Sequence, residues 1–208
     1  PGSQSVADQW GIGWEYSLLK EGYVVACVDG RGTGRRGEEF RKVTYGNLGG
    51  VETLDQISAA EYLGSLSYID SERIGIYGWS YGGFMALNCI LKGNTTFALA
   101  VSVAPVTSWR FYDTIYTELY NGLPQQNGSG YDDNSPLNFA DLLQGKLFLV
   151  HGTADDNVHV QNSYQMIERL LSSGKDFDWM IYPDKNHSMN DRRGYLMRRI
   201  IRYVVENL

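Results

Sequence analysis

Arg73-Ile74-Gly75-Ile76-Tyr77-Gly78-Trp79-Ser80-Tyr81-Gly82-Gly83 passes from a short apolar stretch into Phe84-Met85-Ala86-Leu87. Ile74, Ile76 and Tyr77 read as a buried strand, and the residues from Phe84 onward start a helix. Between them Gly78-x-Ser80-x-Gly82 fits a strand–turn–helix elbow. In such an elbow small flanking residues let helix and strand approach closely and push the serine hydroxyl into a cleft. A serine hydroxyl is a weak nucleophile by itself, so the motif gains meaning only with a base and an acid further on. Without them it is a glycine-rich turn that happens to contain a serine.

Around the elbow, strands and helices alternate. Tyr23–Val28 is a continuous apolar run, the mark of a strand covered on both faces, and Ala98–Val103, Lys146–Val150 and Phe177–Tyr182 read as three more strands. Trp10, Trp14, Leu18 and Leu19 have helical spacing within Val6–Lys20, and Gly22 is a stop signal. Val51, Leu54, Ile57 and Leu63 predict another helix. The elbow helix should end at Gly93, and two more are expected over Gln161–Leu171 and Asp191–Leu208. Residues 121–137, rich in Asn, Gly, Gln and Asp, read as a long surface excursion. The alternation predicts the α/β class, with a mainly parallel sheet and helices on both faces. A chain of 208 residues suits one domain over 1–208.

Composition excludes several function classes. Hydrophobic residues at 43% and charged residues at 20% are soluble-globular values. A net charge of -6, with no basic cluster beyond a pair, argues against a nucleic-acid partner. Phe97–Val106 is the longest nearly apolar run and is too short to span a bilayer, so no membrane segment is expected in this chain. Cys27 and Cys89 fall in an expected strand and helix and read as small core residues. Sequons occur at Asn94, Asn127 and Asn186, the last beside His187, where a glycan would crowd it. Gly32-x-Gly34-x-x-Gly37, with Glu52 further on, imitates a dinucleotide fingerprint. Gly46, Gly49 and Gly50 break the helix that fingerprint requires, and Glu52 falls at a helix start. A turn-rich loop is the better reading, and no metal or organic cofactor is expected.

Three histidines are present, His151, His159 and His187. His187 lies in the polar loop Pro183-Asp184-Lys185-Asn186-His187-Ser188, just after the last expected strand. The preceding strand leads into Gly152-Thr153-Ala154-Asp155-Asp156-Asn157, which offers two acids. The order Ser80, then Asp155 or Asp156, then His187 is the α/β-hydrolase order. Ser80 would attack a carbonyl, His187 would take its proton, and the aspartate would hold the imidazole. The backbone N–H of Tyr81, at the mouth of the elbow helix, would meet the oxyanion. Trp109, Tyr112, Tyr116 and Tyr120 form one stripe of a helix, and Phe111, Ile115 and Leu119 another. An aromatic wall of that kind suits a flat, rigid ring, although two core-facing stripes would also explain the pattern.

The whole chain resembles the prolyl oligopeptidase-type serine peptidases, in their dipeptidyl peptidase IV branch. Gly78-Trp79-Ser80-Tyr81-Gly82-Gly83 matches that branch's elbow. His151-Gly152-Thr153-Ala154-Asp155-Asp156-Asn157-Val158-His159 matches its acid loop, and Asp29-Gly30-Arg31-Gly32-Thr33-Gly34 a further signature. The resemblance implies an α/β-hydrolase fold with Ser80 as nucleophile, Asp155 as acid and His187 as base. It implies a proline pocket from Tyr81, Val106, Trp109, Tyr112, Tyr116 and Val158, with Asn157 holding a substrate carbonyl. The implied activity is release of amino-terminal Xaa-Pro or Xaa-Ala dipeptides from peptide substrates. Acylaminoacyl peptidase or carboxylesterase action on the same fold, or a non-catalytic scaffold, are the alternatives. In that branch a β-propeller domain and an oxyanion tyrosine lie upstream of the residue matching Pro1. The resemblance therefore implies a carboxy-terminal fragment without the fold's amino-terminal strands, poorly active alone, whose sheet has a gap, a re-paired seam or a swapped strand. A homodimer and a periplasmic or cell-envelope bacterial location are further implications.

Overall fold

The computed structural model describes residues 5–7, 9, 11 and 13–208. Four parallel strands form its sheet: β1 (Gly75–Trp79), β2 (Leu99–Val103), β3 (Lys146–Gly152) and β4 (Asp178–Tyr182). They lie side by side in chain order, with Tyr77 opposite Val101, Val101 opposite Phe148, and Val150 opposite Met180. β2 is buried throughout, which is why Leu-Ala-Val-Ser-Val carries no polar alternation.

Helices cover both faces, as the alternation of elements requires. On one face Leu87, Ile90 and Leu91 of α4 (Tyr81–Lys92) join Met166 and Leu170 of α7 (Gln161–Ser172) over Ala100, Leu147 and Leu149. Ile57 and Ala60 of α3 (Val51–Gly64) pack at its margin. On the other face Leu196, Ile200 and Tyr203 of α8 (Arg193–Asn207), with Leu18 of α1 (Tyr16–Lys20), cover Val101, Phe148 and Val150.

Three expectations need correction. Tyr23–Val28 pairs with no strand among the described residues; Val24 is 60% exposed and Cys27 is exposed, not core. An apolar run becomes a strand only if a neighbouring strand offers it a ladder. Here β1 is an edge of the sheet, and its outer backbone groups meet none of residues 23–28. Among the described residues no strand re-pairs onto the outer edge of β1. Of the Val6–Lys20 helix, among the described residues only Tyr16–Lys20 is helical; Trp10 lies outside them, and Gly11 and Gly13 each disfavour a helix by about 1 kcal/mol. The 121–137 stretch is not a simple surface excursion. It contains α6 (Gly128–Asp132) with Tyr131 buried, and Asn134, Ser135 and Pro136 are buried beyond it. Asn127 caps α6, and its amide donates to the carbonyls of Gly46 and Asn121, so both its amide hydrogens are committed.

Candidate active site

All four strands point their carboxyl ends at one rim, and the candidate residues follow them in turn. Ser80 follows β1, Val106 lies beyond β2, Asp155 beyond β3 and His187 beyond β4. Ser80 has φ 61° and ψ −119°, a left-handed conformation that costs a non-glycine residue about 1–3 kcal/mol. Two anchors hold it there. Its N–H donates to Val103 O at 2.8 Å, and its carbonyl accepts the Phe84 N–H at 3.0 Å. The Tyr81 N–H begins α4, where a helix leaves its first amides without intrahelical acceptors.

The elbow's glycines have different jobs. A Cβ on Gly78 would overlap the Gly82 carbonyl, and one on Gly83 would come within 2.8 Å of Val103 O. A Cβ on Gly82 would meet nothing within 4 Å. Gly78→Ala is therefore expected to destabilise by about 3 kcal/mol, because backbone cannot yield as a side chain can. Gly82→Ala should stay within about 1 kcal/mol of wild type, helped by helix propensity. Thermal melts of both variants check this; equal losses would show that close approach is not what Gly78 provides.

Asp155 is 9% exposed and saturated with donors. Its Oδ1 accepts the N–H groups of Asn157 (2.9 Å) and Val158 (2.8 Å). Its Oδ2 lies 2.8 Å from His187 Nδ1 and 3.1 Å from Nε2 of His151. Burial alone pushes this carboxyl up, but the hydrogen bonds from both histidines and both amides outweigh it and hold it well below the usual carboxylate range. Asp156 instead accepts the backbone N–H of His187 at 3.3 Å. The imidazole contact thus falls to Asp155, one of the two acids that motif order left open.

With Nδ1–H given to Asp155, Nε2 of His187 is the nitrogen free to accept a proton. The loop carrying His187 is stitched to its neighbours. Trp79 Nε1 donates to His187 O at 3.0 Å, Ala154 N–H to Lys185 O at 3.1 Å, and Asp184 N–H to Thr153 Oγ1 at 2.9 Å. A side chain on Gly152 would overlap the Lys185 carbonyl. Ser80 Oγ makes no hydrogen bond to His187; such bonds are often long in an unliganded site and tighten around substrate.

Beside the elbow, Tyr81, Val106, Trp109, Tyr112, Tyr116 and Val158 belong to one cluster. Trp109 stacks on Tyr116 at 5.8 Å, and Tyr112 meets Tyr116 edge-on at 5.5 Å. The single helix expected here is two elements. Trp109–Phe111 is a short 3-10 turn, Tyr112 is extended, and α5 (Thr114–Asn121) restarts with Asp113 as its cap. The break turns Tyr112 so that its hydroxyl donates to Asn157 Oδ1 at 2.6 Å. The second stripe is not core, since Ile115 is 87% and Leu119 63% exposed.

Two residues of this neighbourhood escape the sequence reading. His151 is fully buried. Since Val158 O and Asp155 can only accept, Nε2 carries the proton and Nδ1 faces Ser163 Oγ at 2.7 Å. Glu52, 7% exposed, accepts the Tyr81 hydroxyl at 2.6 Å. His151 closes an apolar strand and Glu52 opens a helix, so neither carries a local signal beyond ordinary core or capping use.

This geometry sets the elbow serine and an imidazole bonded to Asp155 on one rim, beside a cluster of aromatic rings. The prolyl oligopeptidase family model matches residues 10–208. A Paracoccidioides brasiliensis protein named "Probable dipeptidyl-aminopeptidase B" is 48% identical over 193 residues, covering 91% of this chain and 21% of its own length. A Grosmannia clavigera protein of the same name is 44% identical over 211 residues, covering 100% of this chain and 21% of its own. The crystal structure of Porphyromonas gingivalis dipeptidyl peptidase 4 is 50% identical with a TM-score of 0.97, over 100% of this chain and 30% of that one. The chain thus spans about a fifth of the curated relatives it matches.

Proposed function

Because the chain belongs to the prolyl oligopeptidase family of serine peptidases, we propose that the protein carrying it removes Xaa-Pro or Xaa-Ala dipeptides from peptide amino termini. One observation carries this reading: the hydrogen-bonded Asp155–His187 couple shares the elbow's rim with a cluster of aromatic side chains. Ser80 Oγ attacks the scissile carbonyl carbon while His187 Nε2 takes the hydroxyl proton. The tetrahedral oxyanion faces the Tyr81 N–H. His187 returns the proton to the departing amine as the C–N bond breaks, and water repeats the steps in reverse to free the dipeptide and Ser80. Asp155 stays ionised throughout and supports the imidazolium.

Tyr81, Val106, Trp109, Tyr112, Tyr116 and Val158 would hold the proline ring, and Asn157, fixed by Tyr112, would meet a substrate carbonyl. An upstream β-propeller would supply the grip on the free amino terminus, and an added strand would fill the place beside β1. The test is Tyr112→Ala in the whole protein. We expect kcat/KM for a Gly-Pro anilide to fall about 10–100-fold, the range for losing apolar pocket contacts, while a small ester without the ring loses no more than about threefold. Equal losses on both substrates would return the aromatic wall to a packing role. Preference for the ester in the unaltered protein would favour a carboxylesterase instead.

A further inference from the structure

The Asp29-Gly30-Arg31-Gly32-Thr33-Gly34 motif takes no part in the steps above, yet it leads directly to the pocket wall. Arg31 clasps Asp55 of α3 through Nε (3.0 Å) and Nη2 (2.6 Å), and its own N–H donates to Asp55 Oδ2 at 2.7 Å. Gly32, at φ +98°, lets the loop lie against the first turn of α3. A Cβ there would come within 2.7 Å of Thr44 Cγ2 and 3.7 Å of Glu52 Cγ. The loop thus lies beside Glu52 and is tied to α3 three residues further on, at Asp55. Glu52 Oε2 accepts the Gly49 N–H at 3.1 Å, and Thr53 Oγ1 donates to Gly49 O at 2.6 Å. Among the described residues no cation forms an ion pair with this buried carboxylate. Its remaining oxygen, Oε1, receives the Tyr81 hydroxyl at 2.6 Å.

Tyr81 is therefore fixed at both ends. Its backbone starts α4, its ring packs against Phe84 (5.5 Å) and Trp109 (5.8 Å), and its hydroxyl is anchored on Glu52. Burial, then the Glu52 charge, keeps that phenol protonated, so it remains the donor. A hydrogen bond to an ionised acceptor is among the strong and directional ones. Without it the ring has only packing to define its tilt.

We propose that Glu52 is a positioning residue that sets proline selectivity by locking the Tyr81 ring as a pocket wall, with the 29–34 loop holding α3 in register. This rests on the peptidase reading above. The experiment measures Ser80 labelling, in the whole protein, by diphenyl phosphonates built on Gly-Pro and on Gly-Ala, for Tyr81→Phe, Glu52→Leu and the double variant. The prolyl-to-alanyl rate ratio should fall about tenfold in each single variant and no further in the double, since both remove the Tyr81–Glu52 bond. Labelling of Glu52→Leu by a small fluorophosphonate lacking either side chain should persist, which shows that the elbow remains intact. A wild-type ratio in Glu52→Leu, or losses that multiply in the double variant, would overturn the assignment. A wild-type protein without prolyl preference would instead overturn the exopeptidase reading. Glu52 is then judged on absolute rates, which must fall equally and non-additively with both reagents if it positions Tyr81.

Discussion

Ser80→Ala is expected to abolish labelling by a fluorophosphonate and to lower kcat by about 10⁶-fold, the loss seen when a serine hydrolase loses its nucleophile. The hydroxyl is the only atom removed, and alanine tolerates the strained φ of 61° no better and no worse than serine. The melting temperature should therefore hardly move, which separates lost chemistry from lost folding. His187→Ala should silence labelling as well, because an unassisted hydroxyl at neutral pH is almost entirely protonated. Mass spectrometry of the labelled peptide decides the matter. Equal labelling of Ser80→Ala would place the nucleophile elsewhere.

Asp155→Asn is expected to cost about 10⁴ in kcat, through a tautomer and not through a void. The asparagine carbonyl can still accept the N–H groups of Asn157 and Val158, which leaves its NH₂ facing His187 Nδ1 and His151 Nε2. Donor then meets donor. His187 can relieve the clash by moving its proton to Nε2, the nitrogen that should be free to accept one from Ser80. The same substitution should alter acid stability. The Asp155 carboxyl is held below its unfolded value of about 3.9, so its contribution is fully present above about pH 4 and fades as pH falls through the folded value. Melting temperatures from pH 6 down to 2 should drop more steeply for wild type than for Asp155→Asn. Parallel curves would mean that the four donors do not favour the ionised form.

What could be read beforehand was whatever short-range pattern determines. Gly75–Trp79, Leu99–Val103, Lys146–Gly152 and Asp178–Tyr182 are strands where the apolar runs place them, since each run is bounded by turn residues and flanked by a helical repeat. Tyr23–Val28 has the same composition and fails, because a strand also needs neighbours, and composition does not say whether they are there. The aromatic repeat at 109–120 has the right period but conceals the extended Tyr112 and the Asp113 cap, where a side chain satisfies an amide that helix continuation would otherwise bond. Asp155 and Asp156 are indistinguishable as letters. One side chain turns toward two buried amides and the other toward a loop backbone, a difference created only when Gly152 meets Lys185. His151 and Glu52 act through partners 4 and 29 residues away, respectively, and no local pattern marks either contact.

The sequential order of the strands also sets a rule about length. Neighbouring strands stand about 4.8 Å apart, so the elbow on β1 and the root of the histidine loop on β4 are separated by three such steps, about 14 Å. Residues Pro183 to His187 must reach back across that distance over the tip of β3, guided by Gly152 beneath and tethered by Trp79 at the far end. Each residue of chain spans at most about 3.5 Å. Five residues reach at most about 17 Å, so removing one would leave about 14 Å, barely the span to be crossed. The loop can therefore vary in side chains at Asp184 or Lys185 far more readily than in residue count, and insertions or deletions there should be purged where substitutions are accepted.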